Sequence, residues 1–569
     1  MHQHFTDLIQ VLDHWAAVRP NELAYGFLDN GETVGASLTF GELRSKVCGI
    51  AQHLSPDCSG QPVIIMCEPG LDFVVAFLGC IAAGAIAVPV SPPSRAAGFE
   101  TIRRIERDSG ASRLLTTTAL INRLSRTKQI DAQLPNVRGW ITVDKLPDCE
   151  SAAIGRADAN AICLIQYTSG STSRPKGVVL THEQILSNQR AIKRAFGHDT
   201  DTTTVVGWLP QFHDMGLIGN VLQPLFLGRP AILMSPLHFL QRPARWLEAI
   251  SRYRATTSGG PNFAYDLCSE KISDEAINDL DLSSWRVAFN GAEPIKASSL
   301  ERFTSRFSRC GFTSQAFLPC YGMAEATLLV TGWSHLEKPR TVHFSSEALE
   351  QGQAVTAVPS AQSREIVCLG SVSDATDIRI VDRANSCELP EGQVGEIWVR
   401  GPAIGLGYHR DPIRTQSQFG ARLSGDADET ATYLKTGDLG FIHGGALYFA
   451  ARANDLIIVR GKNHFPQDIE TCVAGSLDGV GTAQVAAFLD DRSDRSHLVV
   501  VQELRSRVLS SDESRQFKGR VREAVARTHQ LSVETVLLVA RGTIPQTSSG
   551  KVKRAACRDL YQKGVLHEL

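Results

Sequence analysis

The chain has 569 residues, of which 43% are hydrophobic and 21% are charged, a composition typical of a soluble globular protein. Its 58 basic and 60 acidic side chains leave a net charge near −2. Nucleic-acid binding normally requires a basic surplus or patch, so the charge gives no reason to expect it. The length exceeds that of one ordinary domain and predicts several units or one large composite unit.

Thirteen cysteines are scattered along the chain without a Cys-x-x-Cys pair. This pattern predicts reduced, mostly buried thiols in a cytoplasmic protein rather than a disulfide framework or a zinc site. The amino terminus, MHQHFTDLIQ, lacks the basic segment and the apolar core of a signal peptide.

Residues 73–90, FVVAFLGCIAAGAIAVPV, form an uncharged apolar run that is long enough to raise the question of a membrane span. Gly79, Gly84 and Pro89 interrupt the run, and its last six residues are typical of a strand. We therefore expect a buried helix followed by a buried parallel strand, and no transmembrane segment.

Helical patterns alternate with short β-branched runs from about residue 40 to residue 330. The runs are QPVIIM, AIAVPV, SRLLTTT, RGWITV, AICLIQY, TTVVGW, RPAILM and RVAFNGA. This alternation predicts doubly wound α/β units that bind ligands at the carboxyl ends of their strands.

Closely spaced runs follow, DIRIVD, GEIWVRG and GALYFAA, and predict a smaller β-rich subdomain over about 366–452. We predict that residues 1–452 form a large α/β domain and that residues 453–569 form a small mobile α+β domain. Residues 332–368 are polar with weak periodicity, and we interpret them as an insertion.

Residues 167–182, YTSGSTSRPKGVVLTH, concentrate hydroxyls, glycines and one lysine, but they lack the P-loop spacing. Buried strands on both sides predict a strand-to-strand loop, and Thr181 with Gln184 predicts a capping box at the start of the next helix. The composition suits a polyphosphate, although an ordinary surface turn is the alternative. The residues that would bind it are Thr168, Ser169, Gly170, Ser171, Thr172 and Lys176.

Five further stretches occur later in the chain. They are NGAEP at 290–294, YGMAEAT at 321–327, TGDLG at 436–440, ARANDLIIVRGKNHFPQDIE at 451–470 and PQTSSGKVKR at 545–554. Together with residues 167–182, in this order and spacing, they resemble the adenylate-forming superfamily of acyl- and aryl-CoA synthetases, luciferases and peptide-synthetase adenylation domains. Each motif alone is weak, but six in order cover nearly the whole chain.

The resemblance implies binding of ATP and Mg²⁺ and an AMP-linked acyl intermediate. Glu325 matches the acid that holds Mg²⁺, a cation that prefers carboxylate oxygen. Asp438 and Arg452 match the partners of the ribose hydroxyls, and Tyr321 matches the aromatic residue that stacks on adenine. The other implied nucleotide-binding residues are Ala292, Glu293, Pro294, Gly322, Met323 and Ala324.

The resemblance also implies catalytic roles for Lys551, Glu325 and His213. Lys551 matches a mobile lysine that bridges the substrate carboxylate and the α-phosphate. Asn454 falls at the hinge about which the small domain rotates between the half-reactions. His213 matches a residue at the gate between the nucleotide and the acyl pocket, and a purely structural histidine is the alternative.

Three features resemble fatty acyl-AMP ligases in particular. Ala324 stands where most superfamily members carry threonine, and the stretches WLPQFHDMGLIG and KNHFPQDIE match these ligases. Residues 332–368 fall where these ligases carry an extra segment, which packs between the domains and impedes the rotation that CoA ligation needs. The resemblance implies that a medium- or long-chain fatty acid is adenylated and passed to an acyl carrier protein in trans.

Two alternatives remain at this level: a fatty acyl-CoA synthetase, and a non-catalytic nucleotide-binding protein on the same fold. If residues 332–368 prevent the rotation that CoA ligation needs, deleting them should raise turnover with free CoA. A basic cluster suits docking of an acidic carrier, although such a run is more often a solvated helix face. The cluster comprises Arg515, Lys518, Arg520 and Arg522.

Lys551→Ala is expected to abolish adenylate formation while leaving ATP binding largely intact. Losing one preorganised charge typically costs about 10²–10³ in rate, and two anionic reactants depend strongly on such a charge. Pyrophosphate release with ATP and a fatty acid, measured beside ATP affinity, checks this expectation. Adenylate formation by the variant would refute the predicted role of Lys551.

Overall fold

The computed structural model describes most of the chain. The described residues are 5–54, 57–93, 96–125, 134, 136–149, 157–168, 176–333, 337–360, 362–371, 376–459, 462–476, 482–492, 497–504, 510–546 and 552–569. Within these ranges no helix has the length and apolar character needed to cross a membrane.

The strands alternate with helices in the first half of the chain and follow one another closely after residue 340. In chain order they are β1 Leu23–Leu28, β2 Val34–Thr39, β3 Pro62–Ile65, β4 Ile86–Pro89, β5 Arg113–Thr116, β6 Gly139–Thr142, β7 Ile162–Thr168, β8 Lys176–Thr181, β9 Val205–Gly207, β10 Ala231–Met234, β11 Thr257–Gly260, β12 Val287–Asn290, β13 Phe317–Gly322, β14 Leu329–Gly332, β15 Thr341–Ser345, β16 Ser363–Ser371, β17 Asp377–Val381, β18 Gly395–Arg400, β19 Gly407–Tyr408, β20 Leu434–His443, β21 Ala446–Arg452, β22 Ile457–Val459, β23 Lys462–His464, β24 Thr482–Asp490, β25 His497–Leu504 and β26 Thr535–Ala540.

The helices cover both faces of the parallel sheets, and a π-helix spans Met215–Leu222. In chain order the α-helices are α1 Leu8–Val18, α2 Phe40–Leu54, α3 Leu71–Ala82, α4 Ala96–Ser109, α5 Thr118–Ser125, α6 His182–Ala195, α7 Gln223–Leu227, α8 Pro236–Gln241, α9 Ala244–Arg252, α10 Asn262–Lys271, α11 Asp274–Asn278, α12 Ala297–Phe307, α13 Ser346–Glu350, α14 Pro412–Phe419, α15 Pro466–Ser476, α16 Ser511–His529 and α17 Arg554–Gln562.

Two large sheets form the first part of the molecule. One has the order β14-β13-β12-β11-β9-β10-β1-β2 and the other β19-β8-β7-β4-β3-β5-β6, with parallel pairing through the centre of each. Helix α3 contacts strands of both sheets. The predicted doubly wound α/β architecture is confirmed, and each predicted run over residues 40–330 is a strand.

The apolar run at residues 73–90 forms part of α3 and all of β4, which are almost entirely buried. The expected buried helix and strand are therefore confirmed. The loop after β7 does join two strands, because β7 and β8 pair antiparallel. Helix α6 then begins with the predicted capping box, in which the Thr181 side chain accepts the Gln184 N–H.

A third sheet is antiparallel throughout, with the order β15-β16-β21-β20-β18-β17. It confirms the predicted β-rich subdomain. The polar segment 332–368 is more regular than its sequence suggested, since it supplies β15, α13 and much of β16 to the edge of this sheet. Deleting it would remove ordered strands, so the deletion is a poor test of a block on CoA.

The last part of the chain is an α+β unit, as expected. Its sheet has the order β24-β25-β26, and α15, α16 and α17 pack against these strands. All four residues of the predicted basic cluster are engaged within this unit: Arg515 pairs with Asp512, Lys518 pairs with Glu568, and Arg520 and Arg522 donate to backbone carbonyls. The cluster therefore offers less free positive charge to a carrier than its sequence suggested.

Close packing of α2 on α3 leads to a prediction about stability. A Cβ at Gly79 would lie 2.6 Å from the Cβ of Ile50, so Gly79→Ala should cost about 1–3 kcal/mol through overpacking. Gly519 on α16 is the matched control, because a Cβ there meets no atom within 4 Å. Gly519→Ala should stabilise the protein by about 0.5–1 kcal/mol. Thermal unfolding of the two variants measures the difference, and equal midpoints would contradict the packing argument.

Candidate active site

A cleft of about 2470 Å³ opens where the carboxyl ends of β12 and β13 meet the antiparallel sheet and the α+β unit. Open α/β sheets bind ligands at this end of their strands. The predicted site residues that line the cleft are Thr168, Lys176, His213, Ala292, Glu293, Pro294, Tyr321, Gly322, Met323, Ala324, Glu325, Asp438, Arg452 and Asn454. The others, Ser169, Gly170, Ser171, Thr172 and Lys551, lie outside the described residues.

Asp438 is held between two sheets. The Tyr321 hydroxyl on β13 donates to Oδ2 of Asp438 at 2.8 Å, and Nε of Arg452 lies 3.4 Å from Oδ1. Asp438 and Arg452 are direct partners in the β20–β21 pairing. Burial and the Asp438 carboxylate raise the pKa of Tyr321, so its phenol stays neutral and donates. A carboxylate accepts several hydrogen bonds, which is what binding of hydroxyl donors requires.

Glu325 and Lys176 both lie beside Tyr408. The Tyr408 hydroxyl donates to Oε1 of Glu325 at 2.8 Å, and Nζ of Lys176 lies 5.8 Å from the centroid of the Tyr408 ring. Burial, and next the charge of Arg414, lower the pKa of Lys176, while Glu325 acts in the opposite direction. Lys176 is thus a partly desolvated cation beside a carboxylate, not an exposed surface lysine.

The turns after β12 and β13 bring backbone close to the cleft. Ala292 has a φ of 68°, in the left-handed region that side chains rarely adopt. The Glu293 carboxylate accepts the N–H of Phe263 at 2.6 Å in the first turn of α10, which fixes the turn. A Cβ at Gly322 would lie 1.9 Å from the Leu328 carbonyl oxygen, so only glycine fits there.

His213 lies where β7 meets the π-helix. The Gln166 side chain on β7 donates to the Phe212 carbonyl at 2.9 Å and so ties this loop to the strand. Nδ1 of His213 is 2.5 Å from Oδ1 of Asp214, which also accepts the N–H of Met215. The imidazole is therefore oriented by its neighbour while it lines the cleft.

Cys320 also lines the cleft, between Gly291 and Tyr321. Its thiol donates to the Asn290 carbonyl at 3.3 Å, and burial raises its pKa to about 12. At neutral pH this side chain is a thiol and not a thiolate.

The fit of Mg²⁺ depends on Glu325. In the described part of the chain no group of three or more His, Cys, Asp or Glu side chains could hold a metal ion. Mg²⁺ is commonly held by one or two carboxylates, with substrate phosphates and waters completing its shell. Glu325, with one oxygen on Tyr408, therefore fits an ion that arrives with a polyphosphate rather than a resident metal.

The segment 332–368 contacts the α+β unit. On β16, Nε of Arg364 lies 3.3 Å from Oδ1 of Asp468, and its guanidinium is 4.8 Å above the Phe465 ring. On α13, Oε1 of Glu350 lies 3.1 Å from Nδ1 of His464. Phe465 belongs to an apolar cluster with residues of the segment. The predicted block between domains would need contacts of this kind.

A buried charge cluster follows the predicted hinge. Asp455 lies directly after Asn454, and its Oδ2 is 2.8 Å from Nη1 of Arg554. Arg554 also donates two bonds of 2.7 Å to Glu470 on α15. The cluster connects the predicted hinge to α17, the helix that begins three residues after Lys551.

Residues 12–409, more than half of the chain, match the family model described as AMP-binding enzyme. The chain belongs to the AMP-binding enzyme family. Residues 454–569 of this AMP-binding enzyme match a second model, the AMP domain of Disco-interacting protein 2-like proteins.

Relatives of this AMP-binding enzyme bear the names of fatty-acid ligases. It is 38% identical to the medium-chain-fatty-acid–[acyl-carrier-protein] ligase JamA of Moorena producens, over 99% of this chain and 95% of that protein. It is 36% identical to the long-chain-fatty-acid–AMP ligase FadD26 of Mycobacterium marinum, over 98% of both chains. The fatty acyl-adenylate ligase of Legionella pneumophila, solved with acyl adenylate and pyrophosphate, matches with a TM-score of 0.76 at 36% identity, over 98% of this chain and 96% of that one. The predicted resemblance to fatty acyl-AMP ligases is confirmed.

The sequence did not indicate the contacts of three residues of this site. Tyr408 reaches Glu325 because the two-residue strand β19 pairs with β8, a contact across more than 200 residues. Arg414 is placed beside Lys176 by the helix that follows. Arg554 lies within a recognised motif, but its two partners lie more than 80 residues away.

Arg554→Ala is expected to lower the free energy of unfolding of the α+β unit by about 3 kcal/mol near neutral pH, because the buried Glu470 carboxylate loses its partner. Burial raises the pKa of Glu470, and Arg554 partly opposes this. A folded pKa above the unfolded value means that the folded state binds more protons, so stability falls as pH rises. The loss should therefore be smaller at about pH 5 than at about pH 8.

Thermal unfolding at the two pH values measures this effect. Arg515→Ala is the control, since Arg515 and Asp512 are both largely exposed and their pair should be worth under about 1 kcal/mol. A loss of the same size at both pH values would exclude Glu470 as its source.

Proposed function

We propose that the protein activates a medium- or long-chain fatty acid with ATP, releasing pyrophosphate, and passes the acyl group to the phosphopantetheine thiol of a carrier protein. The observation that carries this proposal is the convergence of Tyr321, Glu325 and Asp438 with Lys176 in one cleft. Tyr321, Lys176 and Asp438 lie on three different sheets and Glu325 lies just after β13, and all four belong to motifs that the chain shares with adenylate-forming enzymes. Membership of the AMP-binding family and similarity to fatty-acid ligases support it.

The nucleotide would lie along the cleft wall. The adenine fits beside Tyr321 and the turn of Ala292, Glu293 and Pro294, with the backbone of Gly322, Met323 and Ala324 at its edge. The ribose hydroxyls would donate to the Asp438 carboxylate, whose orientation Tyr321 and Arg452 fix. The phosphates would meet Thr168, Lys176 and the loop of Ser169, Gly170, Ser171 and Thr172.

In the first half-reaction a carboxylate oxygen of the fatty acid bonds to the α-phosphorus of ATP, and the bond from that phosphorus to the pyrophosphate oxygen breaks. Both reactants are anions, so alignment and charge neutralisation supply most of the rate. We assign the bridging cation to Lys551. Glu325 would hold Mg²⁺ on the phosphates, and that ion would offset their negative charge when bound.

His213 would stand at the junction of the nucleotide and the acyl chain. Its ring lines the cleft, and its contact with Asp214 orients the ring. A structural role in holding the loop before the π-helix is the competing account. His213→Ala separates them, because loss of a gate alters the KM for the acid, whereas loss of a structural contact lowers the unfolding temperature.

In the second half-reaction the thiol sulfur of the carrier attacks the acyl carbonyl and AMP leaves. We place the domain boundary after Arg452 and the hinge of the rotation at Asn454, where the second family match also begins. The Asp455–Arg554–Glu470 cluster would make the small domain turn as one body. All thirteen cysteines are free thiols, which supports a cytoplasmic location.

The contact of Arg364 with Phe465 and Asp468 supports a carrier thiol over free CoA as the acceptor. Loosening it should permit the rotation that CoA ligation needs. Arg364→Ala is therefore expected to raise acyl-CoA formation several-fold and to leave adenylate formation unchanged. The measurement is acyl-CoA production from free CoA beside pyrophosphate release.

Arg340→Ala is the matched control, because the Arg340 guanidinium lies 5.5 Å above the Trp333 ring and beside Tyr448 and Cys368 of the antiparallel sheet. It should leave both rates unchanged. Rapid acyl-CoA formation by the unmodified enzyme would identify a fatty acyl-CoA synthetase instead. Failure of pyrophosphate release with every fatty acid of a chain-length series would refute carboxylate activation altogether.

A further inference from the structure

The cleft continues past His213 into the space between α6 and the eight-stranded sheet. Its inner walls are apolar: Ile192 and Phe196 come from the end of α6 and Phe289 comes from β12. The rings of Phe196 and Phe289 stack with centroids 5.9 Å apart. Such walls suit the methylene chain of the proposed fatty-acid substrate.

The far end of this space is polar. His198 and Thr257 line it, and both are more than nine-tenths buried. Thr257 is the first residue of β11 and pairs with Val287, while Gly260 at the other end of β11 pairs with Asn290 beside the nucleotide site. At about 3.3 Å per residue, Thr257 lies roughly 10 Å deeper than the carboxyl ends of the strands.

Hydrogen bonds organise this far end. Nε2 of His198 lies 2.9 Å from the Thr257 hydroxyl oxygen, and Nε2 of Gln223 lies 3.3 Å from Nδ1 of His198. With Gln223 donating to Nδ1, the His198 proton is on Nε2 and is donated to the Thr257 oxygen. The Thr257 hydroxyl then keeps its own hydrogen available for another acceptor.

Buried polar atoms occur nearby on the π-helix and at the start of α7. Oε1 of Gln223 and both amide atoms of Asn220 are buried without a hydrogen-bond partner among the described residues. Asn220 packs on Gly207, where a Cβ would lie 2.6 Å from its amide nitrogen. His198 and Thr257 are the polar groups that line this end of the cleft, and a chain that ended on a methyl group would leave them facing hydrocarbon without compensation.

We propose that Thr257 is a specificity residue that selects acids with a hydroxyl group at the distal end of the chain, and that His198 and Gln223 are positioning residues that present its O–H. This inference rests on the proposed adenylation of a fatty acid. The distal oxygen of the substrate accepts from Thr257, and the apolar walls enclose the methylenes between it and the carboxylate.

Two series of substrates test the inference with the full-length enzyme. ω-Hydroxy acids and unsubstituted alkanoic acids are compared at equal numbers of heavy atoms, and kcat/KM is measured by pyrophosphate release. At the best chain length the ω-hydroxy acid should be preferred by at least about tenfold, because a site built to hydrogen-bond a hydroxyl discriminates against its absence. Preference for the alkanoic acid at every length would overturn the proposal.

Thr257→Val keeps the shape of the side chain and removes its hydroxyl, so the preference should fall to within about threefold while alkanoic acids are still adenylated. Gln223→Met removes the partner of His198 and should also weaken the preference, which provides a second variant if Thr257→Val does not fold. A full preference retained in the folded variants would overturn the proposal.

Thr256→Val is the matched control, because Thr256 is adjacent in sequence but bonds to Thr204 and does not line the cleft. It should keep the preference of the unmodified enzyme. The two substrate series also distinguish this inference from the proposed function. If neither series releases pyrophosphate, the proposed function fails; if alkanoic acids react and hydroxy acids gain nothing, only the polar end of the pocket is refuted.

Discussion

The buried carboxylate of Asp438 is the contact on which the geometry of the site depends. It lies on the antiparallel sheet and accepts from Tyr321 on the eight-stranded sheet, so one hydrogen bond of 2.8 Å fixes two separate layers relative to each other. An apolar cluster that includes Tyr321, Leu369 and Leu447 packs around the same junction. Because desolvation strengthens a hydrogen bond to a charged group, this contact is both rigid and directional. The turn that carries Glu325 begins just after Tyr321 on the same strand, so it lies directly beside this contact.

Much of this arrangement was predictable from the sequence, because the signals are local. Buried parallel strands appear as short β-branched runs, and the β7–β8 loop was recognisable from the strands that flank it. The predicted nucleotide-binding positions lie in motifs at the ends of such strands, where a few residues fix the backbone. The turn at Gly322 is of this kind, because the Leu328 carbonyl excludes any side chain there.

The remainder depends on pairings between distant parts of the chain. Tyr408 reaches Glu325 only through a two-residue strand, which leaves no periodic pattern. The edge strand β15 is mostly half-exposed, so its side chains do not alternate clearly between apolar and polar, and the segment that contains it was interpreted only as a polar insertion. No sequence pattern marks His198, Thr257 or Gln223. Their arrangement is visible only because the fold places them at the end of an apolar space. Patterns among neighbouring residues do not indicate contacts between residues that are far apart in the chain.

Cys320 places a nucleophile beside the reaction without letting it react. An acyl-adenylate is an acylating agent, and a thiolate in the same cleft would attack its carbonyl and leave the enzyme covalently acylated. The Asn290 carbonyl accepts the Cys320 S–H, and burial keeps its pKa at about 12, so the sulfur remains a weak nucleophile. In the proposed reaction the cleft would thereby protect the activated acyl group from the protein itself and leave it for the thiol of the proposed carrier.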